Sequence, residues 1–228
     1  METVVALCPE DTYALVDDAE QVSFLQQECR IYGSPEGVSA TAAAAPSRLR
    51  LALEEMAVGV AKGFLRLNVA GEEGQIFAKE IARELTDNWK SKDVHDGATW
   101  RLTQQRCDRL RVFRDLWDRG YIVTFGSKFG ADFLLYKDNP RISHAVALVV
   151  VKGYEEDFAR VDVVSFCRVA KMVKKQLIFA SVRMNEESTN EGEQKGESSN
   201  SGAQEGAESV VYVSLTHALL VSRQEQSE

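Results

Sequence analysis

The stretch KFGADFLLYKDNPRISH, Lys128 to His144, decides how the second half of the chain is read. An apolar run ends at Tyr136, the chain turns through Lys-Asp-Asn-Pro, and an apolar run resumes after His144. Asp, Asn and Pro are turn formers for separate physical reasons: local side-chain hydrogen bonding for the first two, a fixed φ for the third. The pattern therefore predicts a β-hairpin with strands over 131–136 and 145–151. The second strand, AVALVVV, is apolar without alternation, which marks a strand buried on both faces and hence central. Taken alone, Tyr136 is a strand-end aromatic and His144 a surface residue. Taken together, they are two proton-handling side chains on facing strand ends.

The elements on either side extend this into a sheet. Leu102, Leu110, Phe113 and Trp117 mark an amphipathic helix stopped by Gly120, and Tyr121 to Phe125 reads as the strand that follows. Asp157 to Lys175 reads as mainly helical with a break near Arg168, and Leu177 to Val182 and Val210 to Val221 as two further strands. Between those strands, 185–209 holds seven Glu, one Lys and mostly Ser, Gly and Asn. Such a segment cannot bury enough apolar area to offset its ordering entropy, so it reads as a disordered acidic insert.

Upstream, Thr12 to Val16, Leu49 to Leu53 and Phe64 to Val69 read as strands, and Gln21 to Cys29 and Glu54 to Lys62 as helices. Ser34 to Ser47, rich in Ala, Ser, Gly and Pro, reads as a loop. Phe77, Ile81, Leu85 and Trp89 recur every four residues, as on an amphipathic helix. The fold class is α/β (α+β), divided into a small N-terminal α/β domain (1–70), a helical linker (71–99) and a C-terminal domain (100–223).

The 228-residue chain has no apolar run of membrane-spanning length, so no membrane partner is expected. Its N-terminus carries acidic residues and no basic region, unlike a signal or transit peptide. Cys8, Cys29, Cys107 and Cys167 are scattered, without a CxxC pair, and read as reduced thiols of an intracellular protein. The net charge of −8 argues against nucleic acid until its distribution is considered. Residues 101–184 carry 16 basic against 9 acidic groups, between two acidic flanks. Clustered Lys and Arg are what phosphate contacts require.

A longer set of residues carries a resemblance. VFRDL (112–116), RGY (119–121) and GSKFGADFLLY (126–136), followed by Pro140, His144 and Lys175, resemble the C-terminal catalytic domain of the tRNA-splicing endonucleases. VVYVSLTHALL (210–220) resembles the family's last strand, and SRLRLALEEMAVGVAKGFLRL (47–67), more weakly, its N-terminal domain. The short interval from His144 to Lys175 looks like the smaller of the two eukaryotic catalytic subunits, which cleaves the 3′ splice site. The resemblance implies a restriction-endonuclease-like C-terminal domain with a central mixed sheet. It also implies a nuclear, four-subunit complex in which neighbours pair through the last strand. Its substrate would be precursor tRNA, cut to leave a 2′,3′-cyclic phosphate and a 5′-hydroxyl. Ser143 and Ala147 stand where the family often has aromatic residues.

Carried onto this chain residue by residue, the family's triad makes Tyr136 the general base, His144 the general acid and Lys175 the electrostatic stabiliser. The chemistry is coherent. Cleavage by the RNA's own 2′-hydroxyl needs that proton removed, charge on a phosphorane stabilised and the departing 5′-oxygen protonated. An ordinary phenol, with a pKa of about 10, is ionised to roughly one part in a thousand at neutrality, so a nearby cation helps. An imidazole can supply a proton near pH 7. The nucleophile is built into the substrate, so no cofactor is called for and no metal site is expected. Gly126 and Gly130 are expected in tight turns, and Asp132 as a hydrogen-bonded structural carboxylate. Two other classes stay open: a non-catalytic subunit of the same assembly, and a metal-dependent DNA nuclease using Asp132 with Glu155 or Glu156.

Overall fold

The computed structural model describes residues 3–8, 13–36, 48–68, 103–183 and 209–215. The expected helix over 77–89, the acidic segment up to residue 208, the chain beyond 215, and His95 and His217 lie outside the described residues.

Among the described residues, the first half builds one sheet with two helices. Its elements are β1 (Thr3–Cys8), β2 (Tyr13–Val16), α1 (Ala19–Gln27), β3 (Ser34–Pro35), β4 (Leu49–Leu51), α2 (Leu53–Ala61) and β5 (Leu65–Asn68). The strand order is β3-β4-β2-β1-β5, with β1 and β5 parallel and the other pairs antiparallel. β1 was not anticipated. TVVALC is β-branched and apolar enough for a strand, but its partner β5 lies about sixty residues away. Helix α1 begins at Asp18, whose Oδ1 accepts the Gln21 N–H at 2.8 Å, an N-cap bond. Helix α2 ends through Lys62 into Gly63, whose φ of 77° suits a residue without Cβ.

The second half is a five-stranded mixed sheet with one helix against each face. Its elements are α3 (Gln104–Asp118), β6 (Ile122–Phe125), a 3-10 turn (Ser127–Phe129), β7 (Phe133–Tyr136), β8 (Ala147–Val151), α4 (Arg160–Met172), β9 (Gln176–Arg183) and β10 (Ser209–Leu215). The order is β10-β9-β8-β7-β6. Strands β8 and β9 are parallel, as their connection through α4 allows, and the other pairs are antiparallel. The apolar run of β8 is the central strand, with all five residues buried. Gly120 (φ 93°) ends α3: its N–H reaches the Trp117 carbonyl at 3.0 Å and the Tyr121 N–H the Leu116 carbonyl at 3.2 Å. That pair of bonds is a Schellman motif, and it turns the chain directly into β6.

The expected break near Arg168 is absent. Helix α4 runs without interruption from Arg160 to Met172. Phe166, Cys167, Val169 and Val173 pack on the cluster formed by Leu134, Leu148, Val150, Leu177 and Phe179, and that continuous apolar stripe holds the helix straight. Arg168 is simply on its exposed side.

The opposite face of this sheet is buried under α3 and the N-terminal half. Leu49, Met56 and Val58 belong to the same core cluster as Phe113, Leu116, Phe133 and Val149. Polar contacts cross the junction beside it. The Arg109 Nε donates to Glu54 Oε1 at 2.9 Å, and its guanidinium also pairs with Asp132. The Trp117 Nε1 donates to the Cys29 carbonyl at 2.9 Å. The Arg30 Nη1 donates to the Trp117 carbonyl at 2.9 Å, and the guanidinium lies 4.5 Å over the Trp117 ring.

Candidate active site

Topology sets one end of the second sheet. In β7 the chain runs toward that end; in β8 and β9 it runs away from it. The backbone bonds that close this end are Val146 N–H to the Leu135 carbonyl at 2.7 Å and Gln176 N–H to the Val146 carbonyl at 3.1 Å. Leu135, Val146 and Gln176 thus form one line across three strands. Tyr136 follows the first, His144 precedes the second by two residues, and Lys175 directly precedes the third. Three residues spread over forty positions of sequence are gathered at one sheet end by register alone.

Each is delivered by identifiable local chemistry. Tyr136 is half-buried and packs on the face shared with α4, whose far end leads to Lys175. The loop carrying His144 is a compact turn. Asn139 Oδ1 accepts the Arg141 N–H at 2.9 Å, and the Asn139 carbonyl accepts the N–H groups of Ile142 (3.1 Å) and Ser143 (2.9 Å). Pro140 sits at the start of this turn, where its fixed φ helps and its missing N–H is not needed. Ser143 Oγ lies 2.8 Å from the Asn139 carbonyl and 3.0 Å from that of Asp138. His144 follows, exposed.

Lys175 is set by a second Schellman motif. The Lys174 N–H donates to the Lys171 carbonyl at 3.2 Å and the Lys175 N–H to the Ala170 carbonyl at 2.9 Å. Lys174 fills the left-handed position with φ 53°, where glycine is usual. Among the described residues, none of the Tyr136, His144 and Lys175 side chains is engaged in a hydrogen bond or ion pair. Tyr136 and Lys175 are half-buried and His144 is exposed, so all three are accessible at this sheet end.

The surrounding positions are structural. Gly130 has φ 68°, whereas Gly126 is needed for space: a Cβ there would lie 3.0 Å from the Ala131 carbonyl oxygen. Asp132 pairs with Arg109 through Oδ1 and accepts the Val151 N–H at 2.7 Å through Oδ2. Glu156 pairs with Lys152 and accepts the Gly153 N–H at 3.1 Å. Both carboxylates are committed to internal partners, at the end of β8 away from Tyr136, which counts against a metal-ligating role for either. Ala147, 1% exposed, opens the buried run of β8, and Ser143 closes the loop. Both residues at the family's aromatic positions therefore have a structural use.

Sequence reasoning did not find the groups that hold this end in place. Arg141, in the His144 loop, donates to Gln26 Oε1 at 2.8 Å across 115 positions. A one-dimensional pattern carries no signal for such a pair.

Comparison with known proteins points to the same part of the chain. Residues 107–190 match the family profile described as tRNA intron endonuclease, catalytic C-terminal domain. The tRNA-splicing endonuclease of Hyperthermus butylicus is 40% identical over 70 residues, covering 31% of this chain and 39% of that protein. That of Saccharolobus solfataricus is 38% identical over 72 residues, covering 32% and 40%. That of Saccharolobus islandicus strain L.S.2.15 is 37% identical over 78 residues, covering 34% and 43%. The chain spans about two fifths of the length of these curated relatives. The matched segment holds most of α3, strands β6 to β9, α4 and all three residues at this sheet end, and it is over residues 107–190 that the chain is similar to the tRNA intron endonuclease catalytic C-terminal domain.

Proposed function

We propose that the chain is a catalytic subunit of a tRNA-splicing endonuclease and cuts precursor tRNA at the 3′ splice site without a metal ion. Tyr136 takes the proton of the 2′-hydroxyl, whose oxygen attacks the adjacent phosphorus. Lys175 offsets the charge gathering on the phosphorane oxygens. His144 gives its proton to the departing 5′-oxygen. The P–O5′ bond breaks, leaving a 2′,3′-cyclic phosphate on one fragment and a 5′-hydroxyl on the other. The observation that carries this reading is the gathering of Tyr136, His144 and Lys175 beside the Leu135, Val146 and Gln176 line.

The proposal extends to assembly. Among the described residues, strand β10 stands at the edge of its sheet with Val213 53% exposed, and an edge strand of this kind suits strand-to-strand pairing with a partner. We assign it to pairing with another subunit within a heterotetramer, working in the nucleus. The division at 1–70, 71–99 and 100–223 belongs to the same proposal.

The test is single-turnover cleavage by the complex assembled from wild-type or variant chain. Tyr136→Phe and His144→Ala should each slow cutting at the 3′ border by about a hundred- to ten-thousand-fold. Cutting at the 5′ border should continue. Normal 3′ cutting by both variants would leave this chain with a scaffold role only.

A further inference from the structure

The loop that carries His144 is held from outside its own domain. Gln26, at the end of α1, is 8% exposed, and its side chain spans two elements. Its Oε1 accepts from Arg141 Nη2 at 2.8 Å, and its Nε2 donates to the Tyr32 carbonyl at 3.3 Å. The Arg141 N–H is also tied within the loop to Asn139 Oδ1. Burial raises the Tyr32 phenol pKa, with the Arg141 charge opposing and Asp138 adding to the rise, so two charges of this loop lie around Tyr32. The N-terminal half therefore grips the loop three residues before His144. Between Arg141 and the first strand bond at Val146, the exposed His144 side chain makes no hydrogen bond or ion pair among the described residues.

We propose that Gln26 is a positioning residue for the general acid: through Arg141 it sets loop 137–146 so that His144 meets the leaving 5′-oxygen. The inference rests on His144 acting as the acid. Gln26 is too buried to reach RNA itself, so its effect passes through the loop. The Arg141 guanidinium left without its acceptor would turn toward solvent or phosphate and carry the backbone with it. A misplacement of about 1 Å at a reacting group can cost about a hundredfold in rate.

The experiment is single-turnover cutting at the 3′ border by the assembled complex on two substrates. One is normal precursor tRNA; the other carries a 5′-bridging sulfur at that border, whose thiolate departs without a proton. Gln26→Leu should slow the normal substrate about ten- to a hundredfold, with KM little changed, and the deficit should largely vanish on the sulfur substrate. Gln26→Glu, which keeps an acceptor for Arg141, should stay near wild type on both. Hydrogen exchange of the full chain supplies a second readout. Amides of 141–146 should exchange faster in Gln26→Leu, while those of β8 and β9 keep their protection.

An equal deficit on both substrates, no deficit on either, or a loss of protection throughout β8 would overturn the proposal. His144→Ala run alongside separates the two readings. Failure of the sulfur substrate to rescue His144→Ala would sink the acid assignment and this inference with it. Rescue of His144→Ala without rescue of Gln26→Leu would sink the inference alone.

Discussion

Glu55 illustrates how single residues carry opposing demands. It is fully buried in the core of the N-terminal half, yet its two oxygens accept from the N–H groups of Gly33 (2.9 Å) and Ala52 (3.0 Å). Burial pushes its pKa up to about 7, against the lowering by those two N–H donors, while neighbouring Glu54 adds to the rise. The folded pKa is above the unfolded value, so the proton's contribution to stability is fully present below about pH 4.5 and is lost as pH rises through about 7. Glutamine offers one acceptor where two donors wait, so Glu55→Gln should destabilise by about 1–3 kcal/mol. The gap between wild type and variant should narrow as pH rises across that window. Denaturant titrations at several pH values check this, and a gap that widens with pH would contradict the assigned direction.

The elements that position the site were legible to different degrees. The hairpin of β7 and β8 and the helix ahead of β6 were readable, because glycines, a proline and apolar runs mark them locally. Strand β1 was missed although it pairs locally with β2, and its second, parallel partner β5 is distant in sequence. The break anticipated near Arg168 is absent because the stripe from Phe166 to Val173 packs on the sheet. Lys174 is a case that neither pattern nor charge reveals. It adopts a left-handed conformation at the end of α4, which costs an ordinary residue roughly 1–2 kcal/mol. The cost is tolerated because the two Schellman bonds aim Lys175 at the sheet end. Lys174→Gly should therefore raise stability by up to about 1 kcal/mol while keeping Lys175 in place. Chemical denaturation reads the change, and a clear loss of stability would mean that the lysine side chain, not the backbone, matters there. The candidate triad itself was legible through family resemblance, whereas its geometric basis, the line through Leu135, Val146 and Gln176, needed the sheet register.

At the scale of the molecule, the two halves share one apolar core, and several polar links cross their junction, among them Arg109 to Glu54, Lys62 to Asp118, Arg30 to Trp117, Trp117 to Cys29 and Arg141 to Gln26. Residues that face Met56 and Val58 in the intact chain, such as Phe113 and Leu116, would be uncovered by removing the first half. Each apolar side chain so exposed forfeits about 1.5–3 kcal/mol. A fragment beginning at residue 103 should lack a cooperative thermal transition, as calorimetry would show, and a sharp transition near that of the full chain would contradict the shared-core account. The central claim is chemical. It is tested most directly by incubating the assembled complex with precursor tRNA in excess chelator and analysing the ends formed at the 3′ border. The account predicts undiminished cutting that yields a 2′,3′-cyclic phosphate and a 5′-hydroxyl, abolished by Tyr136→Phe in this chain. Cutting that stops with the chelator, or that leaves a 3′-hydroxyl and a 5′-phosphate, would contradict it.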